Sequence, residues 1–218
     1  MKFSKSSMQT LDSCPWKFKL AKIDKIKEPP TQFQHLTDLG TTVHKEIQDF
    51  FEDKEIDIME ATEHFLTFLE FQEERKALLP HPEKTFKPIS QELLLETEDL
   101  VGYFDSLFLT DDMTGYMIMD WKTGNEKWKD QVMKELAYYH VLIEAHPKLF
   151  PLSIKKWQMY FTKNNNLHSY EPEQKYIDMV HEDIANAKEL IKKGDFKCKS
   201  GMQCHWCGYA TSEYCPLY

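Results

Sequence analysis

Arginine is nearly absent from this chain, with Arg75 the sole example among 218 residues. Contacts to a polyanion would therefore fall to lysines and backbone N–H groups, which position a phosphate backbone without reading its sequence. Glycine is also sparse, at seven residues, and none forms a phosphate-cradling glycine loop, which excludes a built-in ATPase motor. Long hydrophobic runs are missing too. No stretch approaches the roughly 18 consecutive apolar residues of a membrane span, and Met1-Lys2-Phe3-Ser4-Lys5 leads into no signal-peptide core. A cytoplasmic, intracellular protein with no membrane contact is expected. Internal repeats and low-complexity segments are lacking as well.

What remains is a composition suited to a packed globule, 41% hydrophobic and 13% aromatic. The length fits a single domain, 1–218, read as an N-terminal arm (1–35), helices and core (36–195) and a cysteine-rich tail (196–218). Net charge is −9, but unevenly spread. Residues 38–100 hold 17 acidic against 6 basic side chains, while residues 1–37 carry seven lysines against three acids. The acidic run reads as a solvated face, and the rest of the chain is close to neutral.

The stretch Tyr116 to Gly124 organises the reading. Side chains alternate faces along a strand, so Asp120 and Lys122 share a face with Ile118, while Met117, Met119 and Trp121 take the other. Val101 to Leu109 reads as a second strand, joined to the first by a turn over Asp111 to Gly115, so that Asp105 faces Asp120. Two carboxylates and a lysine at one point suit a hard divalent cation and a water it activates.

Around these strands the spacing predicts a short helix from Ser4 through Ser13, broken and restarted at Cys14-Pro15-Trp16 and continuing as a basic helix over Lys17 to Ile23. Apolar residues at Leu36, Leu39, Val43, Ile47, Phe50 and Phe51 give a helix over 36–51, with His44 on its flank. An acidic helix is expected over 58–79, a strand over 87–96 that includes Glu92, and a helix over 128–145. A strand over 153–162, its partner at 167–170 and a helix from Pro172 to about Lys193 complete the core.

The tail has little periodicity but four of the five cysteines. Cys204-x-x-Cys207 with Cys215 makes a ligand array, since a Cys-x-x-Cys turn brings two thiolates onto one ion. Cys198 could complete it locally, or Cys14 from the other end of the chain, and both zinc and an iron–sulfur cluster accept four thiolates. A tail with so little core-forming sequence needs a staple, and metal binding supplies one.

Taken in order, these pieces resemble the PD-(D/E)XK nuclease superfamily, specifically its RecB-like branch with an iron–sulfur cluster, home of CRISPR-associated single-strand exonucleases and AddB-type nuclease domains. The matching residues are Ser4-x-Ser6 with Cys14-Pro15, Gly40-x-x-x-His44, Glu92, Gly102-x-x-Asp105, Asp120-x-Lys122, and Cys204-x-x-Cys207 with Cys215. The resemblance implies an α/β, restriction-endonuclease-like core, a mixed central sheet flanked by helices, with the terminal segments joined by a metal cluster. It implies a DNA exonuclease, single-strand-preferring and 5′→3′. Asp105 and Asp120 would hold Mg²⁺ or Mn²⁺ with the Trp121 carbonyl, and His44 would be a further ligand. Lys122 would orient or deprotonate the attacking water, and Glu92 matches an acidic family position. Cys14, Cys204, Cys207 and Cys215 would hold a [4Fe–4S] cluster in preference to zinc, leaving Cys198 spare. Helicase, recombination or CRISPR-adaptation proteins are the partners it suggests.

The chain departs from the family at one place. Its Gln-x-x-x-Tyr motif becomes Glu135-Leu-Ala-Tyr-Tyr139 here, with Gln131 one turn earlier. Gln131 and Tyr139 are then the substrate-side candidates. A negative charge at Glu135 leaves room for a rival, a catalytically silent nuclease-fold scaffold or DNA-binding subunit.

Overall fold

The structure, a computed structural model, describes residues 1–217. In chain order it runs through α1 (Lys5–Ser13), α2 (Pro15–Phe18), a π-helical turn (Lys19–Ile23), α3 (Gln34–Phe51), α4 (Glu63–Leu78) and α5 (Pro82–Thr85). The strands β1 (Ser90–Glu96), β2 (Val101–Leu109) and β3 (Tyr116–Lys122) follow, then α6 (Lys129–Glu144), β4 (Ile154–Phe161), β5 (Asn166–Tyr170) and α7 (Gln174–Lys193). A 3₁₀ turn over Met202–Trp206 lies in the tail.

The five strands form one sheet in the order β1-β2-β3-β4-β5. Neighbours are antiparallel except β3 and β4, which are parallel. Parallel neighbours need a crossover connection, and α6 supplies it. The result is the mixed sheet flanked by helices that the sequence led us to expect. Alternation along β3 sorts the core into two layers. Ile118 packs with Leu136, Tyr139, Val180 and other residues of α6 and α7. Met117, Met119 and Trp121 pack with Val43, Ile47, Phe65 and Phe68 of α3 and α4. Complete burial of side chains such as Phe68 and Phe108 contributes about 1.5–3 kcal/mol each.

Several boundaries differ from the sequence reading for local reasons. The acidic helix starts at Glu63, not near Ile58, because Thr62 caps it by accepting the Phe65 N–H at 3.1 Å. Thr62 is itself pinned to Glu46 of α3 through its N–H (2.9 Å) and its hydroxyl (2.6 Å). The strand expected from Lys87 starts at Ser90, and β3 stops at Lys122, two residues before Gly124. The basic segment 17–23 is split between α2 and the π turn.

The arm and tail are held by more than their cysteines, which corrects the expectation that a metal must do this alone. Phe3, Met8, Leu11 and Phe18 of the arm are buried in the core beneath α6 and α7. Trp16 Nε1 donates to the Tyr214 carbonyl (2.8 Å), Tyr209 Oη to the Ile26 carbonyl (2.5 Å), and the Phe33 ring packs tilted against Trp206. Gly208 passes so close to the arm that an added Cβ would sit 2.0 Å from the Pro29 carbonyl oxygen. Among the described residues, no helix is long and apolar enough to cross a membrane.

Candidate active site

The β2–β3 ladder is regular from Leu109–Tyr116 to Ser106–Met119. Beyond that point the strands part, and the Asp105 carboxylate accepts the Trp121 N–H at 2.8 Å in place of a backbone carbonyl. A buried N–H needs a partner, and here an acid side chain is the partner. Asp120, one residue earlier on β3, is fully buried, and neither of its oxygens receives a well-formed hydrogen bond. Two ammonium groups face it: Lys122 against Oδ2, and Lys5 at 3.6 Å from Oδ1. The shared strand face read from sequence therefore becomes a contact between Asp120 and Lys122.

From the other layer, α3 brings His44. Its Nε2 donates to the Trp121 carbonyl (3.0 Å), and Nδ1 lies 3.2 Å from Glu92 Oε1 and 3.8 Å from Asp105 Oδ2. Glu92 reaches it because its backbone has φ +46° inside β1, a left-handed conformation that costs a side-chain-bearing residue of order 1–3 kcal/mol. The β1–β2 register accordingly passes over Glu92, between Gln91–Ser106 and Leu93–Phe104. Strain is spent here on aiming one carboxylate.

The charges are interdependent. Burial alone would lower the His44 pKa, but Asp105 and the bond to Glu92 outweigh it and raise it to about 9. Both ring nitrogens face acceptors, so the imidazolium satisfies both. Burial and then the charge of Asp120 push Asp105 above the usual carboxylate range. Burial pushes Asp120 the same way, yet Lys122 and Lys5 hold it well below that range.

On the opposite side of Asp120 lies a cluster from α1 and α6. Lys5 Nζ donates to Tyr139 Oη at 2.7 Å and lies 3.3 Å from Glu135 Oε2. Glu135 also accepts from Gln9 Nε2 (3.0 Å) and contacts the Lys127 ammonium. Its charge is thus compensated inside the protein. Of the two substrate-side candidates, Tyr139 joins this cluster through Lys5, while Gln131 stands apart from it. Gln131 accepts the Trp128 N–H (3.2 Å) at the start of α6, and lines a cavity beside Glu135. Lys5 was missed by the sequence reading, although it lies inside Ser4-x-Ser6, whose first serine caps the helix that begins with it.

A model of the PD-(D/E)XK nuclease superfamily matches residues 2–216. The chain belongs to this superfamily. A solved structure from Eubacterium rectale, named as a "Putative exonuclease", superposes on the chain with a TM-score of 0.57 at 11% identity. The match covers 100% of this chain and 91% of that one, and at this identity the likeness is one of fold. No curated protein matches the sequence.

PD-(D/E)XK nucleases use divalent metals, and the donor set of this member fits one. Ligand atoms of His44, Glu92 and Asp105 lie within 4.8 Å of one another. Asp120 adds two buried oxygens without well-formed hydrogen bonds. The protonated His44 supplies a positive charge at the point where a cation would.

The chain also gathers its five cysteines. Cys14, Cys198, Cys204, Cys207 and Cys215 all line one cavity of about 430 Å³ between arm and tail. Burial and the adjoining thiols of Cys14 and Cys215 push the Cys198 thiol up to about 12. Cys198, read as spare, therefore stands at the same cavity as the other four.

Proposed function

We propose that the chain is a metal-dependent deoxyribonuclease, an exonuclease that hydrolyses phosphodiester bonds of DNA with a preference for single strands. The observation that carries this reading is the convergence of His44, Asp105, Asp120 and Lys122 at the parting of β2 and β3. Asp105, Asp120, His44 and the Trp121 carbonyl would hold Mg²⁺ or Mn²⁺, His44 giving up a proton as the cation takes over its charge and Glu92 fixing its ring. Oxygen ligands with one imidazole suit these ions. Such a cation supplies a water of lowered pKa and a charge that offsets the scissile phosphate.

The chain's own groups do the rest. Lys122 stands with its ammonium against the buried Asp120 carboxylate and its side chain 21% exposed, at the edge where a phosphate would lie. There it orients the attacking water and stabilises charge developing on phosphorus. Tyr139 borders the same pocket of charge, and Gln131 the cavity next to it. The 5′→3′ direction and the strand preference rest on the resemblance to RecB-like nucleases.

The second centre in this reading is a [4Fe–4S] cluster on Cys14, Cys204, Cys207 and Cys215. Its support is the single cavity that all five cysteines line. Recombination, helicase or CRISPR-adaptation proteins are the partners in keeping with such a nuclease. The deciding experiment is digestion of end-labelled single- and double-stranded DNA with Mn²⁺ and with EDTA. Mononucleotides or short products released from one end of single strands, only with metal, support the reading. No cleavage under any metal condition refutes it.

A further inference from the structure

Helix α1 delivers one side chain into the site that the catalytic pattern does not include. An ammonium has three N–H donors, and three acceptors surround that of Lys5. They are Tyr139 Oη at 2.7 Å, Glu135 Oε2 at 3.3 Å and Asp120 Oδ1 at 3.6 Å. Two of its donors are hydrogen-bonded to protein groups and its charge faces Asp120, so Lys5 is engaged by the protein's own side chains. Its place is behind the site, holding other groups.

The group it bears on most is Asp120. This carboxylate is buried without a well-formed hydrogen bond, so its orientation depends on the charges facing it. Lys122 faces Oδ2 but belongs to the same strand and moves with it. Lys5 comes from a separate element and faces Oδ1, so the two lysines fix the carboxylate from both sides.

The arm around Lys5 is built to hold it still. Phe3 bridges to Leu100, its N–H donating to the Asp99 carbonyl (2.7 Å) and its carbonyl accepting from Val101 N–H (2.8 Å). This ties the arm to the start of β2, the strand that carries Asp105. Ser4 and Ser7 then cap α1 reciprocally, Ser7 N–H to Ser4 Oγ at 3.1 Å and Ser4 N–H to Ser7 Oγ at 2.8 Å. Burial opposes charge on Lys5, yet Asp120 and Glu135 raise its pKa above the ordinary lysine value, so it stays an ammonium.

We propose that Lys5 is a positioning residue of the cleavage site, which orients Asp120 and Tyr139 and so completes the metal site from the N-terminal arm. The proposal rests on the reading that Asp120 holds a divalent cation. Groups that orient a metal ligand from outside its coordination sphere are worth about 10–100-fold in metal affinity.

The test is calorimetric titration of Mn²⁺ into DNA-free protein, with thermal unfolding recorded for each variant. Lys5→Ala is expected to weaken Mn²⁺ binding about 10–100-fold relative to wild type, and Lys5→Arg to fall between the two. Gln9→Ala removes a contact of the same helix to Glu135 without touching Asp120, and is expected to leave Mn²⁺ affinity unchanged. If Lys5→Ala melts below the assay temperature, Lys5→Gln, which keeps part of the stem, is held to the same criterion. Wild-type affinity in a folded Lys5 variant overturns the proposal. So does an equal loss in Gln9→Ala, which would assign the effect to arm docking in general. A wild type that binds no more Mn²⁺ than Asp120→Ala overturns the metal-site reading itself, and the role of Lys5 with it.

Discussion

At the scale of single residues, the site is a set of charges that no member could hold alone. Asp120 is buried yet ionised because Lys122 and Lys5 face it, and His44 is protonated because Asp105 and Glu92 do. Asp120→Ala and Lys122→Ala are each expected to lower DNA cleavage by about 10²-fold or more, the scale of removing a group that stabilises developing charge. Both variants should stay folded. In Asp120→Ala the lysine side chains left behind are 18% and 21% exposed and can turn to water, and in Lys122→Ala the carboxylate still faces Lys5. Near-normal turnover of end-labelled DNA by either variant would remove that residue from the mechanism. His44→Ala should raise the metal concentration needed for half-maximal cleavage, more with Mn²⁺ than with Mg²⁺, because an imidazole ligand tilts a site toward later transition metals. Metal titrations that coincide with wild type would exclude His44 as a ligand.

At the scale of elements, caps and inter-element bonds decided what the hydrophobic spacing left open. The apolar pattern over 58–79 does not mark where α4 begins, but Thr62 does, since it accepts from Phe65 N–H and binds Glu46. Thr62→Ala should therefore cost about 1 kcal/mol or somewhat more in chemical denaturation, the usual worth of an N-cap hydroxyl. A change indistinguishable from zero would show the cap to be dispensable. Between α6 and β4, Trp157 Nε1 donates to His140 Nδ1 at 3.1 Å, so that nitrogen must be unprotonated. Burial holds the His140 pKa below its ordinary value, even though Glu144 pulls the other way. A histidine depressed on folding contributes stability that is full above its unfolded pKa of about 6.5 and is lost as pH falls toward the folded value. Wild type should thus lose more stability than His140→Gln between about pH 7.5 and 5.5. Parallel pH curves for the two proteins would contradict this.

At the scale of the whole molecule, the two ends of the chain meet at the cysteine cavity. A cluster shared by Cys14 and the tail would close nearly the entire chain into one loop, and long loops restrict the unfolded ensemble most. Anaerobically purified protein is expected to be brown, with broad absorption near ~400 nm. Cys14→Ala, Cys204→Ala, Cys207→Ala and Cys215→Ala should bleach it and lower the melting temperature, while Cys198→Ala should not. Iron retained in Cys14→Ala but lost in Cys198→Ala would make the ligand set local to the tail. Colourless protein with one equivalent of zinc would keep the joint and discard the iron. The arm should remain docked in every case, because Phe3, Met8, Leu11 and Phe18 are buried in the core.

The sequence by itself determined whatever depends on local periodicity. Alternation along 116–122 placed Asp120 with Lys122 and sent Met117, Met119 and Trp121 to the other layer, because strand side chains must alternate whatever surrounds them. The 3.6-residue spacing of Val43, Ile47 and Phe51 likewise fixed the buried face of α3 and so the flank on which His44 lies. Tertiary structure alone decided the contacts between distant segments. Lys5 meets Glu135 across 130 positions, and Glu92 meets His44 across 48, through a backbone conformation that a glutamate would not adopt unaided. Cys198 comes to stand beside Cys14 and Cys215 in the same way. Such pairings are set by how helices and sheet pack in three dimensions, and periodicity along the chain carries no record of which distant side chain fills the facing space.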